Sequence, residues 1–222
     1  MQQASKLWYL EQFDMMKYLC KNEQAHLSDM MAMKHFKKDD PIMFPHNSQK
    51  SIYLLKKGTV KIGNYTENGE ENLKYILNEG NIFGEMAMVD GNANDFAVAL
   101  DEVIICVIDM SVLQDMMQTN KKLNAHIYKL IGWRLRKLES KMASMVFKDS
   151  STRIKDFLKE WANDFGKQEN KALVVKNLLT HKEIAKLTFT SRQTVSTVLS
   201  KLKKSGKIDY DDKYIRVYNL EE

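Results

Sequence analysis

Cysteine, proline and arginine are scarce in this 222-residue chain, which has two, two and five of them beside 29 lysines. Two cysteines cannot supply the four thiolates of an ordinary iron–sulfur cluster within one chain. Cys20 and Cys106 stand far apart with no C-x-x-C partner, and Cys106, inside the apolar run VIICVI (103–108), reads as a buried small hydrophobe. Long apolar runs are missing too. None approaches membrane-spanning length, and the first residues lack the charged-then-apolar pattern of a signal peptide. A reducing cytoplasm is the expected location, with no membrane partner. His26, His35, His46, His126 and His181 show no metal-ligand spacing, so no metal is expected and a haem ligand among them is unsupported. There is no P-loop, nucleophile elbow or dinucleotide fingerprint, and no carboxylates are paired for acid–base work, so enzymatic activity is not expected. The 14 methionines read as flexible core filler rather than a copper site.

What is present is unevenly distributed. Hydrophobic content of 44% and charged content of 28% are ordinary for a globular chain of one large or two modest domains. The net charge of +5 resides in the last third: residues 148–222 hold 16 basic and 11 acidic side chains, whereas residues 1–147 hold 18 of each. A neutral domain followed by a basic one is the simplest division, and the basic part would attract phosphates by counterion release. A membrane surface is the weaker alternative. The aromatic helix there (Phe157, Trp161, Phe165) interleaves Lys155 and Lys159 with Asp156, Glu160 and Asp164 and so lacks a basic polar face.

Between about 40 and 110 the pattern is that of β-structure. Gly58, Gly69, Gly80 and Gly91 recur every 11 residues, each after a polar residue, with Asn68-Gly69 the clearest hairpin turn. The intervals contain SIYLL (51–55), TVKI (59–62), LKYIL (73–77), FAVAL (96–100) and VIICVI (103–108), which predicts a sandwich or barrel. After Ser111, the expected N-cap, the period becomes helical. Ile127, Ile131, Leu135, Leu138, Met142 and Met145 form one stripe from roughly 121 to 147, broken by no proline. Such a stripe exceeds what one small barrel can cover, so contact with the same helix of a second chain is expected.

Residues 180–204, THKEIAKLTFTSRQTVSTVLSKLKK, read as a helix-turn-helix. Thr180 and Glu183 have the spacing of a capping box, and Thr190 and Gln193 repeat it ten residues later. Val195, Val198, Leu199 and Leu202 would pack on Ile184, Ala185 and Leu187, leaving Arg192, Gln193, Ser196, Thr197, Ser200 and Lys204 to face a major groove. Between 180 and 208 seven basic residues face the single acid Glu183, a net of +6. The segment 152–178 opens with a helix that stops at Gly166, LVV (173–175) is a short strand, and KIDYDDKYIRVY (207–218) alternates around Asp211-Asp212 as a wing.

Four segments, YLLKKGTVKI (53–62), GNIFGEMAMVDG (80–91), the long helix and TSRQTVSTVLSKLKKSGKI (190–208), resemble in order and spacing the family of the catabolite activator protein and the anaerobic regulator Fnr. The resemblance spans nearly the whole chain, and the S-R-x-T-V run at 191–195 is its most specific part. It implies an α+β fold in three parts: a β-roll sensor domain of the cyclic-nucleotide-binding type (1–119), a dimerisation helix (120–147) and a winged helix-turn-helix (148–222). It implies a homodimeric transcription regulator that reads a pseudopalindromic duplex and meets RNA polymerase. Arg192 and Gln193 match base-reading positions, with Ser196, Thr197 and Lys201 on the same helix. Thr180, His181 and Ser191 match phosphate-contacting positions. Asp149 and Arg153 fall at the family's hinge.

The departures concern the sensor pocket, expected around Gly84, Glu85, Met86, Ala87, Asp95, Arg134 and Leu138. Members that bind cyclic AMP carry an Arg-Ser pair for the cyclic phosphate where this chain has Asp95-Phe96, and adenine-contacting Thr or Ser where it has Leu138 and Glu139. An aspartate substitutes repulsion for a charge-assisted hydrogen bond. Cyclic AMP is therefore not expected, although Arg134 keeps another anionic effector open. Thr197 replaces a second arginine common in the reading helix, and Phe189 stands where the turn commonly has glycine. A competing reading is a small-molecule or cyclic-nucleotide sensor that acts mainly through protein interaction.

Overall fold

A computed structural model describes residues 13–45, 50–90, 94–218 and 220. The chain divides into two compact units, 1–137 and 138–222, and the division falls inside the long helix.

The first unit opens with a 3₁₀ turn (Asp14–Tyr18) and helix α1 (Lys21–Met30), followed by strands β1 (Ala32–Phe36), β2 (Pro41–Met43), β3 (Ser51–Lys57), β4 (Val60–Tyr65), β5 (Glu71–Leu77) and β6 (Ile82–Phe83). A short helix α2 (Ala87–Asp90) leads to β7 (Asp95–Ala99), β8 (Val103–Asp109), α3 (Met110–Thr119) and the long α4 (Lys121–Phe147). The strands form two antiparallel sheets, ordered β1-β8-β3-β6 and β2-β7-β4-β5. The turn spacing predicts such packed sheets, and the β-roll is what the family resemblance implies. Gly58, Gly69 and Gly80 all have positive φ, and a Cβ on Gly58 would stand 2.3 Å from the Glu102 carbonyl oxygen, so glycine is required there. Gly91 lies outside the described residues.

The uninterrupted apolar runs of β3 and β8 have a physical reason: their sheet is covered on both faces. Ile52, Leu54, Cys106 and Ile108 point to a core shared with Met15, Leu27, Leu113, Leu123 and Ile127. Tyr53, Leu55, Val103 and Ile105 point to a second core shared with Val60, Ile62 and Ala97 of the other sheet. Strands buried on both sides lose polar alternation. The helix after β8 begins one residue before Ser111, and its N-cap is Asp109, whose carboxylate accepts from the Ser111 N–H at 2.9 Å. Ser111 is thus inside the first turn, because the aspartate two residues earlier already supplies the acceptor that the free N–H groups need.

The second unit contains α5 (Ser150–Phe165), β9 (Lys167–Glu169), β10 (Ala172–Lys176), α6 (His181–Thr188), α7 (Arg192–Lys204), β11 (Ile208–Tyr210) and β12 (Tyr214–Val217). Its sheet runs β11-β12-β10-β9, all antiparallel, with the β11–β12 hairpin as the wing. Asp149 N-caps α5 through the Thr152 N–H, and Ile154, Leu158 and Trp161 form its buried face.

Candidate functional site

The interface-forming pair of helices is built by its caps. At the start of α6 the Thr180 hydroxyl accepts from the Glu183 N–H at 3.2 Å, and the Glu183 carboxylate accepts from the Thr180 N–H at 2.9 Å. The expected box completes itself. At the start of α7 the structure departs from expectation. Ser191, not Thr190, is the N-cap, and its hydroxyl accepts from the Thr194 N–H at 3.0 Å. The reason lies in how α6 ends. Phe189 adopts the left-handed region (φ 52°, ψ 53°), and the Thr190 N–H turns back to the Ala185 carbonyl at 2.9 Å. That Schellman-type closure uses Thr190, so the next helix starts one residue later and Gln193 has no capping duty.

Arg153 holds this turn. Its Nε donates to the Thr188 carbonyl and its Nη2 to the Phe189 carbonyl, both at 2.9 Å, while Nη1 donates to the Lys148 carbonyl at 2.7 Å. The residue expected at a hinge is thus also a clamp on the helix-turn-helix.

Val195, Val198, Leu199 and Leu202 of α7 are buried, as are Ile184, Ala185 and Leu187 of α6. The opposite face leaves Arg192, Gln193, Thr197, Ser200, Lys201 and Lys204 exposed together. Such a face offers guanidinium, amide, hydroxyl and ammonium groups on one helix, the set that reads base edges and phosphates. Ser196 is placed differently. It is half-buried, with its hydroxyl 3.0 Å from the Arg192 carbonyl and 2.8 Å from His181 Nδ1. The Thr180 hydroxyl, although exposed, is spent on Glu183 at 2.9 Å.

The wing carries its own counterions. Lys203 Nζ is 2.8 Å from Asp209 and donates to the Tyr210 carbonyl at 2.9 Å, and Arg216 Nη1 is 3.0 Å from Asp211. Asp211 also accepts from the backbone N–H groups of Lys213 and Tyr214, and those hydrogen bonds hold its carboxyl down to about 2. Neither cation is therefore uncompensated.

In the first unit, Glu85 is fully buried beneath Arg134 of α4, whose Nε lies 2.5 Å from Glu85 Oε1. The contact is close in charge but poorly aimed: neither Glu85 oxygen nor Arg134 Nε completes a hydrogen bond among the described residues. Arg134 Nη2 donates to the Ile82 carbonyl, and the guanidinium covers the Tyr75 ring at 4.6 Å. Burial pushes the Glu85 carboxyl up, Arg134 pulls it down, and burial prevails, with Asp95 adding a like-charge push. Burial likewise drives the Tyr75 hydroxyl upward. Asp95 is paired with Lys74 at 2.5 Å. Each cation of the cluster, Lys74 and Arg134, thus already faces an acid.

Of the expected pocket residues, Glu85, Asp95 and Arg134 meet in one electrostatic cluster, with Gly84 beside them at φ +91°. Ala87 is buried, Met86 is exposed, and Leu138 lies in the second unit and is exposed. Tyr75 and Lys74 were not legible as site residues, because the alternating run LKYIL marks a strand but not what it faces.

Residues 33–120 match the model of the cyclic nucleotide-binding domain, and residues 152–222 match that of the Crp-like helix-turn-helix domain. A CRP-like cAMP-activated global transcriptional regulator of Mycobacterium tuberculosis is 30% identical over 171 residues, 77% of this chain and 76% of that one. The global nitrogen regulator of Synechococcus elongatus is 27% identical over 192 residues, covering 85% and 86%. Among solved structures, FixK2 from Bradyrhizobium japonicum superposes with a TM-score of 0.75 at 18% identity, over 86% of this chain and 93% of that one. With both domain models matched in family order and a relative similar across both, the chain belongs to the Crp/Fnr family of DNA-binding transcriptional regulators.

Proposed function

We propose that this regulator is a cytoplasmic homodimer that reads a pseudopalindromic operator without cyclic AMP. The observation that carries the reading is the exposed row Arg192, Gln193, Thr197 and Lys201 on α7, in the unit that holds the whole excess of positive charge. Arg192 would pair bidentately with a guanine, and Gln193, free of any cap, with an adenine or its neighbour. Dimerisation is supported by α4, whose stripe is buried at Leu123 and Ile127 and exposed from Leu135 through Leu138, Met142 and Met145. The matched charges at Asp95–Lys74 and Glu85–Arg134 support independence from cyclic AMP. The output is transcription through RNA polymerase, and no catalysis is proposed. Among the described residues no helix is long and apolar enough to cross a membrane.

Selection of sites from random duplex DNA tests this. An inverted repeat with half-sites about 34 Å apart is expected, and Arg192→Ala should lose preference at one position of each half-site. Recovery of no repeat, with Arg192→Ala binding unchanged, would overturn it. Calorimetry with cyclic AMP and cyclic GMP should show no heat of binding; micromolar binding would remove the claim about the pocket.

A further inference from the structure

A single hydroxyl group determines how His181 can meet DNA. Ser196 Oγ is 3.0 Å from the Arg192 carbonyl and 2.8 Å from His181 Nδ1. A carbonyl only accepts, so both contacts are hydrogen bonds only when the one proton of the hydroxyl goes to Arg192. Toward His181 the oxygen can then only accept, and Nδ1 must carry the hydrogen. In a neutral ring that leaves Nε2 as a bare lone pair. Among the described residues no group bonds Nε2.

The position matters because Ser196 is one turn beyond Arg192 on α7, beside the exposed Arg192, Gln193 and Thr197. If that face enters a major groove, the phosphate walls run along its edge, where His181 begins α6. A lone pair facing a phosphate is repelled, whereas an imidazolium N–H donates to it.

Resting on the DNA-binding reading above, we propose that Ser196 is a positioning residue that holds His181 as the Nδ1–H tautomer. His181 then grips a backbone phosphate only as the imidazolium, and operator binding takes up a proton at each engaged His181. Lys182 and Glu183 neighbour it on α6, with Glu183 held by Thr180, and Arg192 stands one turn before Ser196 on α7. The clamping Arg153 of α5 sits at the far end of α6, on Thr188 and Phe189. Loss of the imidazolium proton removes the phosphate contact, so affinity should fall as pH rises.

The test measures affinity of the full-length protein for a duplex recovered by the selection, at fixed salt, from pH 6 to pH 8. The wild type should lose about tenfold for each engaged His181, the size of one charge-assisted hydrogen bond. His181→Gln, a neutral donor at every pH, should be flat. Ser196→Ala frees the ring to present Nε2–H while neutral and should also flatten the profile, with circular dichroism confirming the fold. Nitrogen-15 correlation spectra of the free protein at pH 8 should show the Nδ1–H form in the wild type and a shift toward Nε2–H in Ser196→Ala. An Nε2–H form in the wild type, or equal pH slopes in the wild type and His181→Gln, would overturn the proposal while leaving DNA binding intact. Failure to bind duplex at any pH would overturn the underlying reading as well.

Discussion

Two residues in uncomfortable places show how individual side chains set the behaviour of this chain. Phe189 occupies the left-handed region, which costs an L-residue roughly 1–2 kcal/mol, and Arg153 offsets the strain by hydrogen-bonding the carbonyls on both sides of that turn. Glu85 is the second. Its pKa is raised by burial, so its contribution to stability is present below the ordinary carboxylate range and is lost as pH rises through its folded value. Arg134 is the group that pulls the other way. Arg134→Met should therefore cost about 3 kcal/mol at pH 8, the scale for breaking a buried pair, and most of that loss should return on acidification toward pH 5. Urea denaturation across pH measures it, and Glu85→Gln in the same background should abolish the pH dependence.

At the scale of elements, the long helix and the wing are contrasting solutions to exposed surface. Helix α4 buries Leu123 and Ile127 in its own unit, yet Leu138 and Met142 remain more than half exposed. Apolar side chains repeating every three to four residues along an exposed helix gain stability when a second helix covers them. Leu138→Glu with Met142→Glu should convert the proposed dimer to a monomer in analytical ultracentrifugation at micromolar concentration, with the helix content unchanged. A dimer that survives both charges would place the contact elsewhere. In the wing, Asp209 and Asp211 neutralise Lys203 and Arg216 within the hairpin and the end of α7.

For the whole molecule, the distribution of charge matters more than its total. A net of +5 spread evenly would steer little, but it is confined to residues 148–222, on the unit that carries the helix-turn-helix. Within that unit only uncompensated cations should release counterions. Lys201→Ala should lower the slope of log affinity against log salt by about 1, as expected for one lost phosphate contact. Lys203→Ala, already neutralised by Asp209 at 2.8 Å, should leave the slope unchanged. Equal effects from the two lysines would show that the wing opens on DNA.

Periodicity and turn chemistry made most of the architecture readable in advance. Glycines every 11 residues marked the turns between strands, the 3.6-residue stripe from Ile127 to Met145 marked the long helix, and Thr180 with Glu183 marked the first helix of the helix-turn-helix. These are local properties: a backbone conformation only glycine tolerates, a repeat matched to a helical turn, a cap three residues from its partner. The cap of α7 was misplaced by one residue, because the conformation of Phe189 depends on the Ala185 carbonyl and on Arg153, 36 residues away in the chain. The pocket cluster was only half legible for the same reason. Glu85 and Arg134 are 49 positions apart, and Tyr75 joins them only because β5 and α4 converge. Ser196 looked like a base reader by its place on the helix face, and only packing shows its hydroxyl turned to His181. Which elements form is written in short-range pattern; which charges face one another, and which hydroxyl proton goes where, is decided by contacts that exist only after the chain has folded.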